Sequence, residues 1–110
     1  MTDAERGYVG AMIDGEGTVH CYPIQGRRGD GLGCYIQVTN TELELLSAML
    51  RATGVGRIYL QTRAGFIGKN GINHTKDTWV WKSLRRNDMK AIADQCWPYS
   101  LKLQEASHLF

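Results

Sequence analysis

Residues 7–18, Gly-Tyr-Val-Gly-Ala-Met-Ile-Asp-Gly-Glu-Gly-Thr, constrain this chain more than any other stretch of it. Up to Ile13 the pattern is that of a short helix, with Gly7, Gly10 and Ala11 small on one side and Tyr8, Val9, Met12 and Ile13 supplying bulk. Two acids follow, Asp14 and Glu16, each with a glycine after it. A helix C-terminus carries partial negative charge, so carboxylates are unfavourable where Lys or Arg would be stabilising. Glycine inside a helix costs about 1 kcal/mol against alanine. Local rules broken together in this way mark functional sites. A bound cation would offset the acids, and another backbone lying very close would account for the glycines. The competing reading of the same residues is an amphipathic helix closed by an ordinary glycine C-cap.

The surrounding chain patterns as helix, two strands, helix, two strands, helix, helix. Thr2 and Glu5 form a capping box that starts the first helix near Asp3. From Thr18 to Arg28 the chain is extended, with Val19, Cys21 and Pro23 alternating with His20, Tyr22 and Ile24; Pro23 belongs at an edge or bulge. Residues 26–33 make a basic, glycine-rich hairpin loop, and 34–39 a second strand with Tyr35 and Gln37 facing away from Cys34, Ile36 and Val38. Thr41 and Glu44 offer another capping box for a helix carrying Leu43, Leu46 and Leu50 and closing at Gly54. Arg57, Tyr59, Gln61 and Arg63 alternate with Ile58, Leu60 and Thr62, as a half-buried antiparallel strand should. A long hairpin connection containing Asn70-Gly71 leads to a fourth strand, residues 78–84, with Trp79 and Trp81 opposite Val80 and Lys82. Asn87 can cap a third helix holding Met89, Ile92, Ala93 and Cys96. Pro98 suits the first position of a last helix with Tyr99, Leu103, Ala106 and Phe110 along one stripe. This is an α+β chain, and its 110 residues make one domain, 1–110.

Charge is nearly balanced, 13 basic residues against 11 acidic, so bulk charge announces no partner. Its distribution says more. The acids cluster in residues 3–16 and 42–44, while Arg27, Arg28, Arg57, Arg63, Lys69, Lys76, Lys82, Arg85 and Arg86 lie in extended segments, the pattern of a phosphate-binding face. Cys21, Cys34 and Cys96 show no paired spacing, which predicts reduced thiols in a soluble intracellular protein, cytoplasmic or organellar. Asn73-His74-Thr75 matches a glycosylation acceptor only by chance if no secretory signal precedes it. No apolar run approaches the roughly 20 residues of a membrane span, and the N-terminus has no transit character. His20, His74 and His108 show no C-x₂-C or H-x₃-H spacing with one another or the cysteines, so zinc is not expected. Lys69-Asn70-Gly71 lacks the phosphate-loop pattern.

Residues 9–17, Val-Gly-Ala-Met-Ile-Asp-Gly-Glu-Gly, resemble the signature of the LAGLIDADG homing endonucleases, and Tyr8 and Thr18 suit its flanks. Residues 97–106, Trp-Pro-Tyr-Ser-Leu-Lys-Leu-Gln-Glu-Ala, are similar to that family's closing helix. The resemblance implies an αββαββα domain with an antiparallel four-stranded DNA-binding sheet, encoded for intron or intein mobility. It also implies roles. Glu16 would be the catalytic metal ligand, with the Gly15 carbonyl a second donor, and the cofactor Mg²⁺ (or Mn²⁺). Asp14 would be structural at the active site, bonding backbone amides near the helix end. Asn40 would orient solvent, and Lys102 would steady the scissile phosphate or polarise the attacking water. Glu44 stands where some members carry arginine, which thins the basic complement of the site. Residues 64–71 imitate the motif superficially, but Gly68 and Asn70 stand where acids are needed. One motif per chain calls for a C2 homodimer to cut both strands, with Gly7, Gly10 and Ala11 letting the first helices approach and bring two Glu16 side chains together beneath the DNA.

Alternation places His20, Tyr22, Ile24, Arg28, Tyr35, Gln37, Arg57, Tyr59, Gln61, Arg63, Val80 and Lys82 on the face away from the helices. A β-ribbon fits the major groove, where each base pair shows a distinct donor–acceptor pattern. Arg27, Lys69, Lys76, Arg85 and Arg86 are expected on phosphates. The sequence thus points to a homodimeric, divalent-metal-dependent, site-specific double-strand DNA endonuclease with a long pseudo-palindromic target. The alternative is a non-cleaving binder on the same scaffold, an RNA maturase or a DNA-binding regulator. The acid at Glu16 favours cleavage, since a pure binder would gain by losing a carboxylate beside phosphate. An unrelated small-molecule enzyme would need a concave pocket that nothing in the sequence predicts.

Overall fold

A computed structural model describes residues 1–24, 31–65 and 76–106. The elements run α1 (Asp3–Glu16), β1 (Gly17–Ile24), β2 (Gly31–Asn40), α2 (Leu43–Thr53), β3 (Arg57–Thr62), β4 (Thr78–Ser83), α3 (Arg86–Cys96), a 3₁₀ turn (Trp97–Tyr99) and α4 (Leu101–Ala106). The strands form one antiparallel sheet in the order β1-β2-β4-β3. The helices cover one face of it. Val9 and Ile13 of α1, Leu46 and Met49 of α2, Met89, Ile92 and Cys96 of α3 and Leu103 of α4 pack there against Ile36, Val38 and Trp81. Trp81 is fully buried and its indole N–H donates to the Val55 carbonyl at 2.9 Å, which satisfies the one polar atom of the largest core side chain.

Local chemistry explains where the elements begin. The Thr2–Glu5 capping box forms in both directions, at 3.1 and 2.9 Å. The hydrogen bonds from Thr2, backbone first, hold the Glu5 carboxyl below its ordinary range. Helix α1 runs past Ile13 to Glu16, so both acids lie in its last turn rather than beyond it. The second capping box does not form. Glu42 takes the N-cap position without a side-chain bond, and the Asn40 Oδ1 accepts the Glu42 N–H at 2.8 Å instead. Leu46 and Met49 carry the buried face of α2, and Leu43 is exposed. Gly54 closes that helix in the left-handed conformation (φ 68°), its N–H returning to the Leu50 carbonyl. Asn87 is no cap either, since α3 begins at Arg86 behind an Arg85 that makes no side-chain cap bond. The last helix is broken in two. Pro98 sits in the 3₁₀ turn, and Ser100 starts α4 by accepting the Leu103 N–H at 3.1 Å. Tyr99 is consequently exposed instead of lining a core stripe, and Phe110 lies outside the described residues.

Three sheet expectations need correction. Val80 lies on the predicted open face, opposite Thr39 and Tyr59, but is fully buried among the side chains around it. The pairing of β3 with β4 shifts between Leu60 and Thr62, so Thr62 stands opposite Thr78 and simple alternation fails at Gln61. Cys21 and Cys34 are cross-strand neighbours in the β1–β2 ladder, their Cα atoms 4.1 Å apart, and form a disulfide. Only Cys96 is a free thiol, and burial pushes its pKa up to about 11, which keeps it inert at neutral pH.

Candidate acidic centre and nucleic-acid interface

The two acids of α1 have different surroundings. Asp14 reaches the start of α4. Its carboxylate accepts the Ser100 hydroxyl at 2.7 Å, the Leu101 N–H at 2.9 Å and the Lys102 N–H at 3.1 Å. The first amides of a helix have no partner within it, and here a residue from the other end of the chain supplies one. Burial pushes the Asp14 pKa up. The bonds from Ser100, Leu101 and Lys102, with the Lys102 charge, outweigh that and hold it below the ordinary aspartate range.

A folded-state pKa below the unfolded one contributes stability that is present above the unfolded value and disappears as pH falls through the folded one. Asp14→Asn should therefore destabilise the protein at pH 7 by about 1–3 kcal/mol, the usual worth of hydrogen bonds to a charged group. Guanidinium denaturation from pH 7 down to 3 should show a flatter stability profile for the variant than for the parent. Parallel profiles would assign acid sensitivity elsewhere.

Glu16 ends α1 exposed to solvent, and its Oε2 accepts a hydrogen bond from the Asn40 Nδ2. Asn40 is thus anchored through its other atom to the turn before α2, and it fixes the orientation of the carboxylate. No basic residue occupies the last turn of α1. A carboxylate joins the partial negative charge of the helix end there, a place that favours a cation. Lys102 supplies one from the far end of the chain, its Nζ donating to the Gly17 carbonyl at 2.6 Å. A cleft of about 300 Å³ opens between Lys102, Glu105 and residues Gly17 and Thr18. Asp14, Glu16, Asn40 and Lys102 therefore converge on the junction of α1 with β1. Ser100, which joins them through Asp14, was not singled out in the sequence, although a serine three residues before the buried Leu103 is a readable helix start.

The oxygens that the resemblance names as donors, the Glu16 carboxylate and the Gly15 carbonyl, are hard ones, which would suit Mg²⁺ better than a soft metal. Among the described residues no three His, Cys, Asp or Glu side chains gather into a metal cluster. One chain offers part of a coordination shell, and a cation with several water or phosphate ligands fits that donor set.

The open sheet face is largely aromatic and polar. His20, Tyr22 and Tyr35 form a cluster with ring centroids 5.5–6.4 Å apart, and the Lys82 ammonium sits 4.3 Å from the centre of the Tyr35 ring. Gln37 stands opposite Thr18 and Lys82, and Arg57 opposite Lys82 across β4. Tyr22, Ile24 and Tyr59 are each about two-fifths exposed, at 40%, 44% and 42%. Gln61 and Arg63 are exposed at the end of β3. Lys76 pairs with Glu42 at 3.5 Å. Arg85 and Arg86 are exposed at the start of α3, off the sheet. Arg27, Arg28 and Lys69 lie outside the described residues.

Gly10 is not placed as the sequence suggested. A Cβ on it would lie 2.7 Å from the Tyr99 Cβ and carbonyl oxygen, so the backbone it admits is the 3₁₀ turn of its own chain. Gly7 has open space around it, and Ala11 is exposed. Those two remain on the uncovered side of α1.

No family model matches the sequence, and no curated protein matches it. Solved structures do. An archaeal intron-encoded homing endonuclease, I-Vdi141I, complexed with DNA, superposes with a TM-score of 0.65 at 22% identity, over 88% of this chain and 56% of its own. The homing endonuclease I-CvuI, in complex with a target in the presence of Mg and with the DNA not cleaved, gives 0.67 at 10% identity, over 96% and 64%. The I-SmaMI LAGLIDADG homing endonuclease bound to cleaved DNA gives 0.65 at 20%, over 90% and 32%. The present chain spans between about a third and two-thirds of those chains.

Proposed function

We propose that this chain, which has the fold of the LAGLIDADG homing endonucleases, is a DNA endonuclease that acts as a homodimer with a divalent metal. The observation that carries the reading is the convergence of Glu16, Asn40 and Lys102 on the end of α1, at the edge of an exposed sheet face. A hard divalent cation held by the Glu16 carboxylate and the Gly15 carbonyl would polarise a phosphate and acidify a bound water. Asn40 holds the Glu16 carboxylate in one orientation. Lys102 places a positive charge at the Gly17 carbonyl, next in sequence to Glu16, from which it can approach a phosphate oxygen. Asp14 keeps α4, and with it Lys102, docked on α1. His20, Tyr22, Ile24, Tyr35, Gln37, Tyr59 and Lys82 form the reading surface, with Gln61 and Arg63 at its margin.

One Glu16 serves one strand, so the reading needs a second copy. The uncovered side of α1 at Gly7 and Ala11, beside the exposed Trp97, Tyr99 and Leu101, is the apolar surface on which two copies would meet. The alternative, a maturase or regulator that binds without cutting, shares every feature except the need for Glu16. Incubating the protein with Mg²⁺ and a randomised duplex library, then sequencing the ends produced, separates the two. Cut ends flanked by one long, roughly palindromic sequence are the expected result. Enrichment of bound but intact duplexes would support a DNA-binding regulator, and no binding to duplex would refute both DNA readings and leave the maturase.

A further inference from the structure

The hairpin of β1 and β2 reaches past the rest of the sheet. β1 is an edge strand and pairs with β2 along its whole length, from Gly17 opposite Val38 to Ile24 opposite Gly31. β4 pairs with β2 only from Ile36 to Asn40. Residues 20–24 and 31–35 therefore form a two-stranded ribbon, with no third strand beside it among the described residues. Ribbons of two strands are marginal in water unless something else holds them. The three outer rungs here pair Tyr22 with Gly33, Pro23 with Leu32 and Ile24 with Gly31. Two glycines and a proline make them weak. Tyr22, Pro23, Ile24 and Gly31 are exposed, and Cys34, at 6% exposure, is the last core residue before them. The Cys21–Cys34 disulfide closes the rung next to these three. The same ribbon carries the His20, Tyr22 and Tyr35 rings of the open face. The Tyr22 ring lies across Gly33, where a Cβ would come within 2.6 Å of it, so its position depends on that rung staying closed.

We propose that the Cys21–Cys34 bond is a thiol-responsive latch on duplex binding, which orders the ribbon and its rings when oxidised and releases them when reduced. The proposal rests on the DNA-binding reading above. A cross-link between residues 13 apart removes many of the open conformations that the ribbon would otherwise sample. A dithiol is the reductant. Its thiolate attacks the Sγ of Cys21, the half-buried partner, the S–S bond breaks, and Cys34 leaves and takes a proton. The reagent's second thiol then displaces Cys21, which is protonated in turn. The reagent closes to its own disulfide, and two electrons have passed to the protein. Cys96 takes no part, because it is buried in the core and remains a protonated thiol at neutral pH. Glu16 adjoins the opposite end of β1 from Ile24, so the latch acts on recognition and leaves the acidic centre in place. A ribbon ordered one-tenth of the time would raise the apparent Kd about tenfold.

The test compares the parent protein after oxidation with oxidised glutathione and after reduction with dithiothreitol, with free thiols counted by alkylation and mass spectrometry. One alkylated cysteine is expected in the first state and three in the second. Three in both would overturn the latch. Duplex affinity should fall about tenfold on reduction, and an unchanged Kd with three thiols counted would overturn it too. The Cys21→Ala/Cys34→Ala variant should bind like the reduced parent and ignore dithiothreitol. A response equal to the parent's would place the effect elsewhere and overturn the assignment. A second readout needs no DNA. Amide hydrogen exchange should quicken on reduction at residues 20–24 and 31–35, while residues 36–40, paired on both sides, keep their protection. Equal exchange in the two states would mean that the bond does not hold the ribbon, and would overturn the proposal. A protein that binds no duplex in either state would refute the DNA-binding reading, and the exchange readout would still decide whether the bond orders the ribbon.

Discussion

Replacing Glu16 with Gln should lower strand cleavage by roughly 10³-fold, the scale of loss when one preorganised charge-stabilising group leaves an active site, while duplex binding stays intact or tightens. The reasoning turns on what the substitution keeps. Glutamine has nearly the same shape, and its amide oxygen can still accept from the Asn40 Nδ2, so the local hydrogen bond survives. What disappears is the negative charge. On the proposed reading a cation would then lose the Glu16 carboxylate as a ligand, and a duplex phosphate would lose a repelling neighbour. Cleavage should be read on a supercoiled plasmid carrying the target, with affinity measured in parallel by gel shift in Ca²⁺. Full cutting by the variant would end the catalytic assignment of Glu16. Loss of binding along with cutting would make the residue structural.

Gly10→Leu should be the most destabilising single change in α1. Even the first carbon of a side chain there would lie 2.7 Å from the Tyr99 Cβ and carbonyl oxygen and 2.9 Å from its carbonyl carbon. Two of those three atoms are backbone, so no rotamer change relieves the clash. Overpacking of this kind costs about 1–3 kcal/mol and more when backbone must move. The gain in helix propensity over glycine returns less than about 1 kcal/mol. Urea denaturation should show a loss of at least about 2 kcal/mol, and the parent's midpoint retained would mean the 3₁₀ turn yields freely. The same geometry disqualifies Gly10 as a probe of assembly, because a lost dimer could follow from a lost fold. Position 7 is the better probe, since a Cβ at Gly7 meets nothing within 4 Å in its own chain.

The element order was readable because strand and helix periods are local properties. Thr2 and Glu5 sit one turn apart and behave as their spacing says. Thr41 and Glu44 have the same spacing, yet Asn40, the last residue of β2, wins the competition by accepting the Glu42 N–H on its side-chain Oδ1. That outcome depends on where the strand ends, which no local window contains. The Cys21–Cys34 bond is similar. Thirteen residues of separation say nothing, whereas the hairpin register puts the two directly opposite. Gly10 shows the limit most clearly. Its need for a close backbone was legible, but which backbone was not, because the candidate partner helix and the actual 3₁₀ turn make the same demand of a glycine.

The Asp14 bonds join residues 86, 87 and 88 positions apart, and this bears on how the protein is made. A ribosome delivers the first helix long before Ser100 emerges, so the carboxylate must wait, hydrated, until that residue has been made. Lys102 arrives in the same final stretch, and with it the contact to Gly17. The nascent chain therefore cannot form the Asp14 and Lys102 contacts until residues 100–102 are made, whereas the Glu16–Asn40 pair needs nothing beyond residue 40.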